Sequence, residues 1–149
     1  MKKILLIPFA IVLFSCNSTK TTTGETKTST EMTKPANQLY EVLAQSAYQG
    51  KETKSYEVIK DKASLASLYE SIHDTEVPKV DFNKARIVAL FLGQRSSGGY
   101  EIKVKNVEEM GGKIIVYVEE IKPDGMATTV MTNPFTIIKV NSTKEIIFK

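Results

Sequence analysis

The chain has 149 residues, of which 42% are hydrophobic and 25% are charged, with a formal net charge of +3. This length and composition predict one globular domain with tails. A single cysteine excludes an intrachain disulfide, and a single histidine excludes a multi-histidine metal site.

The N-terminal residues have the pattern of a bacterial lipoprotein signal. Two lysines precede an uncharged, mostly apolar run over residues 4–14. As a helix this run is about 16 Å long, too short to cross a bilayer core of about 30 Å. Its end resembles a lipobox, in which a cysteine receives a diacylglycerol and becomes the new N-terminus: Leu13, Phe14, Ser15 and Cys16. We therefore predict a signal peptide over 1–15, lipidation of Cys16, and an exported protein anchored in the cell envelope, on the periplasmic or surface side.

Residues 16–36 are predicted to form a flexible linker. Residues 17–34 contain ten Ser or Thr and one large apolar side chain, Met32, too little apolar surface to offset the entropy of ordering them. The predicted root-mean-square reach is about 20–25 Å.

The remaining residues, 37–149, are predicted to form a single globular domain. Residues 35–149 hold 15 Lys and Arg against 15 Asp and Glu, so this domain is neutral. It also lacks a basic stripe, which argues against nucleic acid as a partner.

Apolar periodicity predicts an α+β domain with a mainly antiparallel sheet and one amphipathic helix. Asp61 is the expected N-cap of a helix over 62–73. The continuous apolar run 87–92 predicts a central strand covered on both faces. Seven to eight strands are expected, the last two paired with each other: 39–48, 55–60, 87–92, 100–105, 113–121, 128–132, 135–140 and 145–148.

No catalytic group emerges from the sequence. The only histidine, His73, lies at the end of the predicted helix, where a histidine favours the negative end of the helix dipole. The acidic pairs at 108–109 and 119–120 lie on strands, where neighbouring side chains point to opposite faces. We predict that the protein is not an enzyme and that it needs no cofactor or metal. The enzymatic alternative, a small hydrolase using Ser96 or Ser97, depends on His73 as its base.

A glycine-rich loop joins the apolar strand 87–92 to the next strand. It lacks the lysine and following helix of a phosphate-binding loop. Two interpretations remain. The loop is either a sharp connection whose glycines allow the backbone to turn, or a recognition loop that offers hydrogen-bond donors to a partner. The candidate partner-binding residues are Arg95, Ser96, Ser97, Gly98, Gly99 and Tyr100.

Residues 82–148 resemble the C-terminal domain of PrcB-type proteins, a family named for a lipoprotein-like subunit of a bacterial protease complex. The resemblance implies a non-catalytic envelope protein that associates with or stabilises a secreted protease. The alternative is a chagasin-like protease inhibitor, since loops similar to residues 97–100 lie beside strands in that family. The residues that carry the PrcB resemblance are the strand 87–92, Gly93, Arg95, Gly98, Gly99, Tyr100, Ile102, Val104, Val107, the hairpin strand 113–118, Asn133, Pro134, Phe135 and 137–140.

Overall fold

A computed structural model describes residues 39–149. The predicted signal peptide, Cys16 and the linker up to residue 36 lie outside the described residues. Along the described chain the elements are β1 (Tyr40–Ser46), β2 (Ser55–Ile59), α1 (Lys62–Ser71), β3 (Arg86–Phe91), β4 (Glu101–Met110), β5 (Lys113–Ile121), β6 (Phe135–Val140) and β7 (Ile146–Phe148).

The strands form two sheets. The first has four antiparallel strands in the order β1-β6-β3-β2. The second has the order β4-β5-β7, with β4 and β5 antiparallel and β5 and β7 parallel. The predicted α+β class with a mainly antiparallel arrangement is confirmed, with seven strands.

The central strands β3 and β6 are buried on both faces. On one face Ile87, Ala89 and Phe91 pack against α1, and on the other Val88 and Leu90 pack against the second sheet. All five side chains have no exposed surface. This confirms the prediction drawn from the continuous apolar run, because a strand between two layers has no polar face.

Helix α1 begins after its predicted N-cap and ends at Ser71, two residues before its predicted end. The Asp61 carboxylate accepts hydrogen bonds from the backbone N–H and the hydroxyl of Ser64, both at 2.8 Å, and these bonds lower the pKa of Asp61. At the other end, His73 has a positive φ of 56°, and the next N–H, of Asp74, donates to the Tyr69 carbonyl at 3.0 Å. His73 thus terminates the helix in a position usually held by glycine. Within residues 39–149, no helix is long and apolar enough to cross a membrane.

A buried hydroxyl joins the two sheets. Thr136 of β6, 1% exposed, donates to the Ile102 carbonyl of β4. A second, longer bond runs from the Tyr40 hydroxyl to the Val104 carbonyl at 3.5 Å. Since β4 is the outer strand of its sheet, these side chains satisfy backbone acceptors that no neighbouring strand reaches.

The prediction of a strand over 128–132 is wrong. Only Thr132 makes a β-bridge, with Arg95. The backbone N–H of Val130 donates locally to the Thr128 carbonyl at 3.0 Å. Residues 128–131 are exposed, so their alternating pattern has no apolar face to bury against a sheet.

The predicted pairing of the last two strands is also wrong. Both edges of β6 are occupied, one by β1 and the other by β3, so β7 cannot pair with it. Instead β7 adds in parallel to β5, and Lys149 exchanges backbone hydrogen bonds with Val116 and Val118 at 3.0 and 2.8 Å. Local sequence does not encode this choice, because it depends on which strand edges the rest of the chain leaves free.

The Thr136 bond can be tested by an isosteric substitution. We expect Thr136→Val to lower the free energy of unfolding by about 1–3 kcal/mol, because the buried Ile102 carbonyl loses its partner. Urea denaturation measures the change. The exposed Thr75→Val is the control and should shift stability by less than about 0.5 kcal/mol. Equal effects of the two substitutions would contradict the assigned role.

Candidate partner-binding surface

Three loops meet at one end of the domain, and we call them together the three-loop surface: residues 47–54, 93–99 and 122–134. Each loop is bonded to the other two. The Gly50 N–H donates to the Asn133 carbonyl at 2.8 Å, and the Gln94 N–H donates to the Glu52 carbonyl at 2.8 Å. The third link is the backbone pairing of Arg95 with Thr132 at 2.7 and 2.9 Å. The loop 93–99, which we call the middle loop, runs from the first sheet to the second. This crossing brings the three loops together.

The two adjacent glycines of the middle loop allow close packing of the loop 122–134. A Cβ on Gly98 would lie 2.6 Å from the Thr128 hydroxyl, and one on Gly99 would lie 2.8 Å from Cβ of Pro123. Gly99 also has a φ of +81°, which disfavours other residues. The geometric interpretation therefore explains both glycines, and buried Gly98 offers little surface to a partner.

Arg95 is held in place but remains half-exposed. Its guanidinium lies 5.7 Å from the centre of the Tyr100 ring, and its Nη1 donates to the Gln94 carbonyl at 3.1 Å. Among the sequence-predicted residues, Ser96 is exposed, whereas Ser97 is half-buried with its carbonyl bonded to the Thr132 hydroxyl at 2.9 Å. Arg95, Ser96 and Tyr100 therefore present side chains at or near the surface.

A charged cluster beside Arg95 joins the two sheets. The Glu120 carboxylate of β5 accepts a hydrogen bond from Lys54 and another from the Tyr56 hydroxyl at 3.0 Å. The Lys54 bond, with smaller contributions from Tyr56 and Arg95, lowers the pKa of Glu120. The pKa of Tyr56 is raised, chiefly by burial and then by Glu120. The ionised carboxylate is thus favoured by Tyr56 of β2 and by Lys54 and Arg95 in two of the loops. Sequence analysis missed this cluster, because Lys54 and Glu120 are far apart along the chain.

Four exposed apolar side chains lie on the loops of the three-loop surface, and the sequence analysis missed them as a group. They are Tyr48 (64% exposed), Met126 (fully exposed), Val130 (38%) and Met131 (56%). For Met126 the sequence does contain a signal of exposure: the residue directly follows the turn residues 123–125 and so lies at a loop tip. The exposure of Val130 and Met131 was missed because a strand over 128–132 was wrongly predicted.

The other candidate groups are engaged elsewhere. His73 ends α1, and within residues 39–149 no hydrogen bond joins it to Ser96 or Ser97. In the acidic pair on β4, Glu108 accepts from the Tyr117 hydroxyl at 2.7 Å, while Glu109 bonds Lys144. In the described part of the chain, no group of three His, Cys, Asp or Glu is placed to hold a metal ion.

Comparison with known proteins places part of the chain in a described family. Residues 86–141, from β3 to just past β6, match the family model described as PrcB C-terminal. An uncharacterized protein of Methanocaldococcus jannaschii is 37% identical over 57 residues, which are 38% of this chain and 35% of that protein. The matched segment thus spans about a third of that relative's length. No solved structure matches the chain.

Substitution of two glycines with the same backbone conformation distinguishes the cost of backbone strain from the cost of disturbed packing. Gly99 and Gly112 have φ of +81° and +76°, but a Cβ on Gly112 would meet nothing within 4 Å. We expect Gly112→Ala to lower stability by about 1–2 kcal/mol through backbone strain alone. Gly99→Ala should lower it by about 1–3 kcal/mol more, because Pro123 must move. Thermal unfolding measures both, and equal losses would contradict the packing role of Gly99.

The ionised state of Glu120 gives a pH-dependent prediction. Because folding lowers the pKa of this carboxyl, its contribution is present above the ordinary glutamate value of 4.5 and is lost as the pH falls through the lowered value. Glu120→Gln, which removes the charge and keeps an acceptor, should lower the melting temperature at pH 6 and have a smaller effect at pH 3. Glu119→Gln, at an exposed neighbouring position, is the control and should change the melting temperature little. A Glu120→Gln effect of the same size at both pH values would contradict the prediction.

Proposed function

We propose that this chain, whose residues 86–141 match the family described as PrcB C-terminal, is a non-catalytic, lipid-anchored accessory protein of the cell envelope that binds a protein partner. The expected partner is a secreted protease, which the protein would associate with or stabilise. The three-loop surface is the proposed contact site. The middle loop and the loop 122–134 both lie within the family-matched residues.

The observation that carries this proposal is the group of exposed apolar side chains on a fixed base. Exposed apolar patches mark interaction sites, and these four exposed side chains all lie on the three loops that are bonded to each other. Methionine side chains such as Met126 and Met131 adapt to irregular partner surfaces. Arg95 and Tyr100 belong to the residue types that contribute most to protein interfaces. Because the loop backbones are bonded to each other, little ordering entropy is lost when a partner binds.

The proposed absence of catalysis is supported by how the reactive groups are used. Glu120 is bonded to Lys54 and Tyr56, and His73 terminates a helix. A serine nucleophile needs a neighbouring base, and Ser96 and Ser97 have none bonded to them within residues 39–149.

The proposed anchoring depends on Cys16 and the linker. With a root-mean-square reach of about 20–25 Å, the linker would keep the domain close to the membrane surface. A partner at the same surface would then meet the domain at high local concentration.

Recovery of the partner from membranes tests the contact site. The full chain is expressed in its own host, solubilised in mild detergent and captured by an epitope tag. We expect Met126→Ser and Arg95→Ala each to reduce recovery of a stoichiometric partner by roughly tenfold or more, as for interface hot spots. Fully exposed Met126→Ser should leave the melting temperature unchanged, and half-exposed Arg95→Ala should lower it only slightly.

The matched control is Met110→Ser. Met110 is 55% exposed but lies at the far end of β4, about 30 Å along the strand from the three-loop surface. Its substitution should leave recovery unchanged. If Met126→Ser and Met110→Ser recover the partner equally, the three-loop surface is not the contact site.

A chagasin-like protease inhibitor remains the second candidate. The observation that favours it is the full exposure of Met126 just after the turn 123–125, because an inhibitor loop must present an exposed side chain to a protease. Inhibition of papain-like enzymes by the protein, lost on Met126→Asp, would favour this candidate. Unchanged protease activity would favour the accessory role.

A further inference from the structure

The three-loop surface holds two of the three methionines within residues 39–149, Met126 and Met131, and the third is Met110. We propose that Met126 is a reversible oxidation site: a peroxide converts its thioether to the sulfoxide, and this modification weakens binding of the protein partner. Met131 is a second, less exposed site. The inference rests on the proposed function, because the modification acts on the same contact surface.

Met126 is the most accessible methionine of the described chain. Its side chain is fully exposed, whereas Met131 and Met110 have 56% and 55% of their surface exposed. It directly follows Gly125, where an added Cβ would meet no atom within 4 Å, so the turn before the methionine is open as well. Because an oxidant reaches an exposed sulfur more readily than a covered one, Met126 is expected to react first.

The domain contains few other side chains that oxidise easily. The sequence has no tryptophan and one cysteine, and Cys16, the predicted lipid attachment site, lies outside residues 39–149. Thioethers are therefore the most readily oxidised groups in the described part of the chain. A domain outside the reducing cytosol, as proposed here, lacks the thiol buffer that keeps cytosolic side chains reduced.

The modification is a two-electron oxidation by hydrogen peroxide. The Met126 sulfur attacks one peroxide oxygen, an S–O bond forms, and the O–O bond breaks, so that the sulfur is oxidised and the peroxide is reduced. The released hydroxide takes the proton from the transferred hydroxyl group and leaves as water. Two thiols of a methionine sulfoxide reductase reverse the change, because they become a disulfide while the oxygen leaves as water.

Oxidation of Met126 is expected to leave the fold intact. In a core, a sulfoxide would place a polar group among apolar side chains, but this side chain lies in solvent. The loop is held through its backbone: the Gly98 N–H donates to the Thr128 carbonyl at 2.9 Å, and Thr132 pairs with Arg95. Neither contact involves a methionine side chain, so the sulfoxide can form without loosening the surface.

Oxidation acts instead on the contact with the partner. A thioether offers apolar, polarisable surface that adapts to a partner, whereas the sulfoxide oxygen is a hydrogen-bond acceptor. Burial of that oxygen against an apolar partner surface removes the water that solvates it in the free domain, which costs free energy. The oxidised domain therefore binds less tightly than the reduced domain, and a bound partner covers the sulfur and protects it.

Peptide mass spectrometry tests the modification without the partner. The tagged full chain is made in a heterologous bacterium, so that it lacks its own partner, and is purified in mild detergent, treated with hydrogen peroxide and freed of peroxide by catalase. We expect one added oxygen at position 126 at lower peroxide than at position 110, with an unchanged melting temperature. Earlier oxidation of Met110, or a large loss of melting temperature once Met126 is oxidised, would overturn the proposal.

Recovery of the partner tests the consequence. Treated or untreated full chain is mixed with an unoxidised membrane extract of the native host, and the partner is captured through the tag. We expect the untreated protein to recover a stoichiometric partner and oxidation to reduce this recovery roughly tenfold or more. Treatment with methionine sulfoxide reductases should restore it.

Leucine variants locate the site. Met126→Leu combined with Met131→Leu keeps the apolar size and removes both sulfurs, so its recovery of the partner should be the same before and after peroxide. Met110→Leu is the matched control and should lose recovery on oxidation as the natural chain does. Unchanged recovery by the oxidised natural chain, or an equal loss in the double leucine variant, would overturn this proposal and leave the proposed function standing. Failure of the untreated protein to recover a partner would contradict both.

Discussion

Burial of β3 and β6 on both faces is the constraint on which the other elements depend. Two strands with apolar side chains on each face need a layer above and a layer below. Helix α1 supplies one layer, and the second sheet supplies the other. The chain leaving β3 must therefore cross from the first sheet to the second, and the loop 93–99 makes that crossing. The position of the three-loop surface follows from this requirement.

The crossing loop connects the fold to the proposed function. Its two adjacent glycines permit the loop 122–134 to pack directly on it through Pro123 and Thr128, and Met126 and Met131 of that loop are exposed. The glycine motif thus acts indirectly, through the loop that it supports. Arg95 and Tyr100 complete the surface with a cation stacked on an aromatic ring.

The features that sequence reasoning predicted correctly are those decided by neighbouring residues. Asp61 caps the helix because its carboxylate accepts a hydrogen bond from the N–H three residues later. The run 87–92 predicts a strand buried on both faces because it has no polar face. The wrong predictions concern strand pairing, which depends on residues far apart in the chain. β7 pairs with β5 because both edges of β6 are already occupied, and Thr132 bridges Arg95 without building a strand. Likewise, the groups around Glu120 become neighbours only when distant segments fold together.

The central claim is that the three-loop surface contacts a protein partner in the envelope. Its most direct test is photo-crosslinking in intact cells, with a photoreactive amino acid at position 126 of the full chain and, as the matched position, at 110. Both sites are exposed, so both report encounters with nearby proteins equally well. The account predicts one dominant adduct of defined mass from position 126 that is absent from position 110. The same adducts from both positions, or no specific adduct from position 126, would contradict it.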